Sequence, residues 1–423
     1  MCQNLARVLL RFGVVYFGLY SLATQIAGGL LIVPGAALPA FGTRWPMRQI
    51  TEWCAAHLFG VSGPLVYTGN SGDTIFHWVQ MAWLLAASAA ITVAWWWLDR
   101  GRDDRIRAWF RLCLRLALAA QMFYYGMAKV IPSQFPPPGL VTLIEPVGAS
   151  SLSDLLWTFV GASLPYQVAA GAAELLAGAL LLTPATATAG AALALVDMLQ
   201  VFLLNMAYDF GLKQISFHLL VMAAILLAPD VPRLTAVFLG RAAGPSTHLP
   251  LFRSARHNRA AIVAQVVLGV YLMASFATLS VRFWYGDGGG RAPRSALYGI
   301  WNVEELAVDG EVRPAALNEY DRRWRRVIFD APQVVVMQRI DDSLAHYGAS
   351  FDAGTSTLAL TKGASTTWRA SFAVQRPARD RLLLEGDMDG HHLRLRLALV
   401  ELDTFRLLNS TFRWVRPPDP YAG

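Results

Sequence analysis

Gln121-Met122-Phe123-Tyr124-Tyr125-Gly126-Met127-Ala128-Lys129 closes an apolar run of helical length with a lysine. A charge at bilayer depth is costly, so where one is kept it faces a protein or water interior and marks a functional site by default. The rest of the chain supplies the bilayer setting. Of 423 residues, 55% are hydrophobic by type and 15% charged, whereas soluble domains run at roughly 45–50% apolar and 25% charged. Runs of about 20 apolar residues, the length that crosses a bilayer, fall at 12–33, 75–98, 112–131, 166–183, 186–207, 215–228 and 260–281. The first is too long for a signal peptide and lacks a small-residue cleavage pattern, so it is read as a retained span. These runs predict a membrane α-helical bundle of about seven transmembrane helices.

The basic residues punctuate those runs. Arg100, Arg102, Arg105 and Arg107 follow the second, and Arg233, Arg241, Arg253, Arg256 and Arg259 precede the last. Such loops mark the cytoplasmic side, and Arg7 and Arg11 put the N-terminus there too. An odd number of spans then sends loops 34–74, 132–165 and 208–213, and the C-terminal part, outside. The net charge of +7 is thereby absorbed by topology, with no basic stripe for nucleic acid. Trp95-Trp96-Trp97 and Phe283-Trp284-Tyr285 suit aromatic belts at opposite interfaces. In the first outer loop, Ile50, Trp53, Ala56 and His57 recur at helical spacing and predict an amphipathic helix over 47–59 lying on the outer surface. The second holds Pro136-Pro137-Pro138-Gly139 and then 153–161, a candidate re-entrant segment.

After residue 285 the character changes. Gly286-Asp287-Gly288-Gly289-Gly290 opens a linker over 286–296, flexible by composition. Beyond it Val334-Val335-Val336-Met337, Trp368-Arg369-Ala370-Ser371-Phe372, Leu382-Leu383-Leu384 and Leu393-Arg394-Leu395-Arg396-Leu397 read as strands, with Asp309-Gly310 and Asp389-Gly390 as turn pairs. About eight or nine short strands predict a small antiparallel β-barrel over 297–423, following a helical domain over 1–285. Trp324, Trp368, Phe351 and Phe372 read as its core, and Arg322, Arg323, Arg325 and Arg326 as a solvated face. His391 and His392 point to opposite faces of a strand, which argues against a shared metal. Cys2, Cys54 and Cys113 form no C-x-x-C, so neither a disulfide framework nor a zinc site is expected. No nucleotide or haem-attachment motif is present.

The ionisable residues inside the apolar runs share helix faces. Gln121, Tyr125 and Lys129 lie on one side of the third run. Gly171, Glu174 and Gly178 form a stripe on the fourth, where glycines permit close helix contact. Asp197, Gln200, Leu204 and Tyr208 line one side of the fifth, and Gln214 and His218 one side of the sixth. The topology places Lys129, Asn205, Asp209, Lys213 and His218 near the outer face, with Glu174 and Asp197 deeper. One reading is a site with Lys129 as base or charge anchor, Glu174 as its partner and His218 as a proton relay. Tyr125, Gln121, Asp197, Gln200, Asn205, Asp209 and Lys213 would then contact substrate. The other reading is that the same pairs only hold helices together.

Tyr125-Gly126-Met127-Ala128-Lys129 with Gln134-Phe135-Pro136, Leu156-Trp157-Thr158-Phe159-Val160-Gly161, Ala173-Glu174-Leu175-Leu176-Ala177-Gly178 and Ser216-Phe217-His218-Leu219-Leu220 resembles the DoxX family of bacterial membrane proteins over about residues 110–230. DoxX proteins look related in helical plan to vitamin K-dependent γ-glutamyl carboxylase, where a lysine in a similar setting is the base toward a reduced quinone. That resemblance implies Lys129 as the reactive group. The carboxylase's substrate-binding portion has no counterpart here, so carboxylation is not expected. The DoxX resemblance implies a quinone- or thiol-linked redox step at the bacterial inner membrane, alone or as a subunit, with a quinone as the possible cofactor. A thiol relay would need a partner protein to supply paired cysteines. Tyr298-Gly299-Ile300-Trp301 and Phe412-Arg413-Trp414 resemble the lipocalin pattern, in which an arginine of the final strand packs on the first-strand tryptophan. The alternatives are a non-catalytic scaffold whose barrel binds lipid and, third, a transporter, for which the chain shows no internal repeat.

Overall fold

The computed structural model describes residues 2–34, 36, 38–67, 72–99, 103–244, 249–286, 289–314, 323–363, 368–409 and 414–415. The chain forms two compact units, one of Met1–Phe135 with Pro165–Phe283 and one of Pro136–Leu164 with Trp284–Gly423.

The first unit is helical: α1 Cys2–Ala23, α2 Gln25–Leu30, α3 Met47–Leu58, α4 Ile75–Leu98 and α5 Asp104–Val130, then, beyond α6 Leu152–Gly161 of the second unit, α7 Leu164–Leu181, α8 Ala187–Ala207, α9 Lys213–Leu227, α10 Val231–Phe238 and α11 Ala255–Tyr285. Among the described residues, 6 helical segments are long and apolar enough to cross a membrane. Val93 on α4, Val196 and Leu203 on α8, and Val263 and Val267 on α11 leave apolar surface exposed, as a lipid-facing wall would. The protein is a multi-pass membrane protein, with the bilayer as its partner.

Two expected spans differ. The run at 12–33 is not one helix, because Thr24 is extended (φ −108°, ψ 179°) and divides α1 from α2. The run at 112–131 lies in α5, which has 27 residues but is not one of the six apolar segments. Its arginines and Lys129 lower its apolarity, and it tolerates them because Leu118, Met122 and Phe123 show it to be buried by its neighbours. At the opposite end from Lys129, the fully buried Arg11 donates to the carbonyls of Trp95 at 3.1 Å and Asp99 at 2.8 Å and to Asp103 Oδ1 at 2.9 Å. That tie joins α1 to the end of α4 and to Asp103 at the start of α5. The helix expected at 47–59 is α3; it buries Thr51, Cys54 and Ala55, with Trp83 of α4 donating to Thr51 Oγ1 at 3.0 Å, and leaves Ile50 and Trp53 exposed.

The second unit contains a nine-stranded meander: β1 Gly299–Val308, β2 Glu311–Arg313, β3 Trp324–Phe329, β4 Val334–Arg339, β5 Leu344–Asp352, β6 Thr357–Thr361, β7 Arg369–Ala378, β8 Arg381–Met388 and β9 His391–Leu399. Each strand pairs with the next in order 2-1-3-4-5-6-7-8-9, and β9 also pairs with β1, closing eight strands into a barrel with β2 as a flap beside β1. Asp309-Gly310 and Asp389-Gly390 hold φ of 52°, 84°, 54° and 80°, the double positive φ of a type I′ hairpin turn. Inward residues alternate along β7, and Trp301, Leu306, Val327, Leu360 and Leu384 fill the interior without solvent contact. Trp324 and Phe372 belong to that core, with Trp368 and Phe351 packed partly against it.

Alternation fails along parts of β1, β3 and β4, where runs of three or four adjacent residues are buried. The cause is the segment expected as an outer loop of the bundle. Leu140, Val141, Leu143 and Ile144 cover the outward Ile300, Ile328 and Val336, and Leu140 N–H donates to Asp330 Oδ2 at 2.9 Å. The stretch suggested as re-entrant is α6, started by a Ser151–Asp154 capping box, and it groups with the barrel. The glycine linker is anchored where described: Arg291 N–H donates to the Trp284 carbonyl at 3.0 Å, and a Cβ on Gly290 would fall 2.2 Å from the Trp284 ring. Asp287 and Gly288 lie outside the described residues, as do Arg100, Arg102 and Arg322. Trp301 does open the barrel and donates to the Leu297 carbonyl at 2.9 Å. The arginine near it is Arg376 of β7, 5.8 Å from its ring centroid. The closing strand is β9; Trp414 is 92% exposed and in no strand, and Phe412 and Arg413 lie outside the described residues.

Candidate functional site

Glycine sets the geometry. A Cβ on Gly126 would sit 2.8 Å from the Gly171 carbonyl oxygen, and one on Gly171 would sit 2.7 Å from both the Gly126 carbonyl oxygen and Lys129 Cβ. Only bare backbone lets α5 and α7 meet so closely. Lys129 and Glu174, each one turn from that contact, form a buried ion pair: Lys129 Nζ donates to both carboxylate oxygens, at 2.7 and 2.8 Å. The Glu174 side chain is 1% exposed and the Lys129 side chain 10%. The ammonium also lies 5.6 Å from the Tyr125 ring centroid.

The break at Thr24 completes this wall. It turns α2 so that Gln25 Nε2 donates to Gln121 Oε1 at 2.9 Å and to the Tyr125 hydroxyl at 2.7 Å. Gln121, Tyr125, Lys129 and Glu174 are therefore together, and Gln25 joins them. Reading 12–33 as one continuous helix hid Gln25; a glutamine ahead of Gly28-Gly29 was the available signal. Asp197 of α8 is half-buried and within electrostatic range of Glu174 and Lys129, and its Oδ2 makes no hydrogen bond among the described residues.

His218 does not join the pair. Its Nδ1 faces the Gln214 carbonyl at 2.6 Å and its Nε2 the Tyr16 hydroxyl, also at 2.6 Å. A carbonyl only accepts, so Nδ1 carries the proton there, and in the neutral ring Nε2 accepts from Tyr16. Tyr20 stacks on the imidazole at 3.7 Å between centroids. Its hydroxyl, in a side chain only 2% exposed, has no partner among the described residues. The Tyr20 ring also lies 6.0 Å from that of Tyr16, between centroids. Tyr16 and Tyr20 went unremarked in the sequence, where aromatic residues in an apolar helix are indistinguishable from lipid-facing ones.

The remaining candidates build the α8–α9 turn. Asn205 Nδ2 donates to the Leu212 carbonyl and Ser216 Oγ at 3.2 and 3.1 Å. Asp209, at φ 50°, accepts from Lys213 Nζ at 2.7 Å, and that hydrogen bond holds its carboxyl below the ordinary range. Asp73 accepts from the backbone N–H groups of Lys213 and Gln214 at 2.7 and 3.0 Å, capping α9. Gln200 is exposed and donates to the Tyr166 hydroxyl at 3.1 Å. Cys54 is buried in α3 and Cys113 exposed on α5; burial pushes the Cys54 thiol up, away from the reactive thiolate.

Fold and site together define a multi-pass helical membrane protein built around buried ionisable groups and carrying a closed, filled antiparallel barrel. The chain is 38% identical over 124 residues to the uncharacterized protein YwoB of Bacillus subtilis (strain 168), a match covering 29% of this chain and 79% of that protein. The chain belongs to the same family as YwoB. No family model matches it, and no solved structure does.

Proposed function

We propose that the protein is a DoxX-type component of the bacterial inner membrane that binds a quinone, or a molecule of that amphipathic kind, against the Lys129–Glu174 pair and takes part in its redox conversion. The observation carrying this reading is the pair itself, buried beside the hydrogen-bonding wall of Gln25, Gln121 and Tyr125. An ammonium has three donors. Two are taken by Glu174, so one remains for a substrate oxygen. A lysine held this way acts as a charge anchor rather than a base. Tyr16, His218 and Tyr20 supply a proton relay on the α1–α9 side.

For a quinone to become a quinol it takes two electrons and two protons. A dithiol gives up both as it closes to a disulfide, and since Cys54 and Cys113 sit on different helices, a partner protein is the source of that dithiol. Positive-inside patterning supports a cytoplasmic N-terminus and arginine-rich loops, with the barrel on the periplasmic side. The second reading, a pair that only holds α5 to α7, is favoured by the backbone contact at Gly126 and Gly171. The test is turnover and retained quinone in lipid nanodiscs doped with quinone and supplied with a dithiol donor. Lys129→Ala and His218→Ala are each expected to lower turnover at least about tenfold, roughly 1.4 kcal/mol of barrier. Turnover unchanged in both leaves only the helix-holding reading.

A further inference from the structure

A half-open groove of about 580 Å³ runs between α1 and α5, within the range of roughly 300–1,000 Å³ typical of ligand sites. Val14, Phe17, Leu30 and Phe110 are among its walls, and Arg105 is the one charged residue lining it among the described residues. Gly18 opens into it, with nothing within 4 Å of where a Cβ would stand. From Arg105 to Ala117 the wall of α5 covers about 18 Å at helical rise, a little over half of a hydrocarbon core of roughly 30 Å. The groove is thus one leaflet deep, charged at one end and apolar beyond.

Arg7 and Arg11 are paired with Asp103, and Arg111 and Arg233 with Asp230. Arg105 and Arg107 are exposed without an ion pair among the described residues, and of the two Arg105 lines the groove. Trp95 and Trp109 also line the groove, residues that settle at headgroup level. We propose that the groove holds one anionic phospholipid of the leaflet on the arginine-rich side, its phosphate on Arg105 and an acyl chain lying past Gly18 toward Ala117. A guanidinium meets phosphate through two parallel hydrogen bonds, and a basic pocket between helices on that side is suited to an anionic headgroup. This site is separate from the Lys129 pair and does not depend on the quinone reading.

The full chain, purified from nanodiscs of equal phosphatidylglycerol and phosphatidylcholine with matched chains, is examined by native mass spectrometry for retained lipid. Wild type is expected to keep one phosphatidylglycerol in preference to phosphatidylcholine. Arg105→Gln is expected to lower that preference about fivefold, the effect of one basic residue at a membrane surface. Gly18→Leu fills open space, so it is expected to lower retention of both lipids while the thermal unfolding midpoint stays within a few degrees. Equal retention of the two lipids by wild type, a retained neutral quinone in their place, or phosphatidylglycerol retention unchanged in both variants overturns the proposal.

Discussion

The interiors of the bundle and the barrel are built on opposite rules. The bundle buries Lys129, Glu174, Gln25, Gln121, His218 and Arg11. The inward residues of the barrel are apolar, and its ion pairs, such as Glu304–Arg381, Glu305–Arg396 and Arg325–Asp342, lie outside. Water drives apolar side chains inward in the barrel. Lipid offers the helices no such drive, so close backbone contacts and polar pairs bring them together. Groups able to do chemistry are therefore concentrated where the surroundings are apolar, and the filled barrel offers a scaffold.

The largest test of this contrast is Lys129→Met. It leaves Glu174 buried and unpaired, which for a buried pair costs about 3–5 kcal/mol. The double variant with Glu174→Leu removes both charges and is expected to recover most of that loss in nanodisc unfolding, with turnover still absent. Turnover persisting in the double variant would assign the pair to packing alone.

Leu384→Ala makes the reciprocal change in the barrel. Leu384 is 0% exposed, and truncating such a leucine costs about 2–5 kcal/mol. The expected outcome is a lower unfolding midpoint for the barrel, followed by its near-ultraviolet circular dichroism, with quinone retention by the bundle unchanged. A parallel loss of quinone retention would give the barrel a share in binding and break the division.

Legibility followed the same contrast. The apolar runs at 75–98 and 186–207 match α4 and α8 closely, because long apolar stretches have one solution in lipid. The Gly171–Glu174–Gly178 stripe was readable from helical period alone. The break at Thr24 was not, since the partners that hold α2 beyond it, such as Gln121 bonded to Gln25, lie on another helix that a single run does not reveal. His218 was placed with Lys129 by depth, whereas helix rotation sends it to Tyr16. The cover formed by 140–144 had a signal that went unused: Val334-Val335-Val336-Met337 is a continuous apolar run, which implies burial on both faces of a strand.

The smallest expected effect is on the barrel's water face. His392 faces Asp387 at 2.9 Å and Glu385 at 3.5 Å, and those carboxylates, Asp387 foremost, hold its imidazolium above the ordinary value, which is about 6.5. A raised folded value means that the contribution to stability is fully present below about 6.5. It is lost as pH climbs through the folded value, so barrel stability should slope downward as pH rises above about 6.5. The pair is exposed, so added salt should flatten that slope. His392→Gln is expected to abolish it in unfolding midpoints taken from pH 5.5 to 9. A slope that survives both the variant and added salt would place the titrating group where water does not screen it. The ionisable groups of the bundle interior would then be the ones to examine, and the assignment of pH sensitivity to the barrel surface would fail.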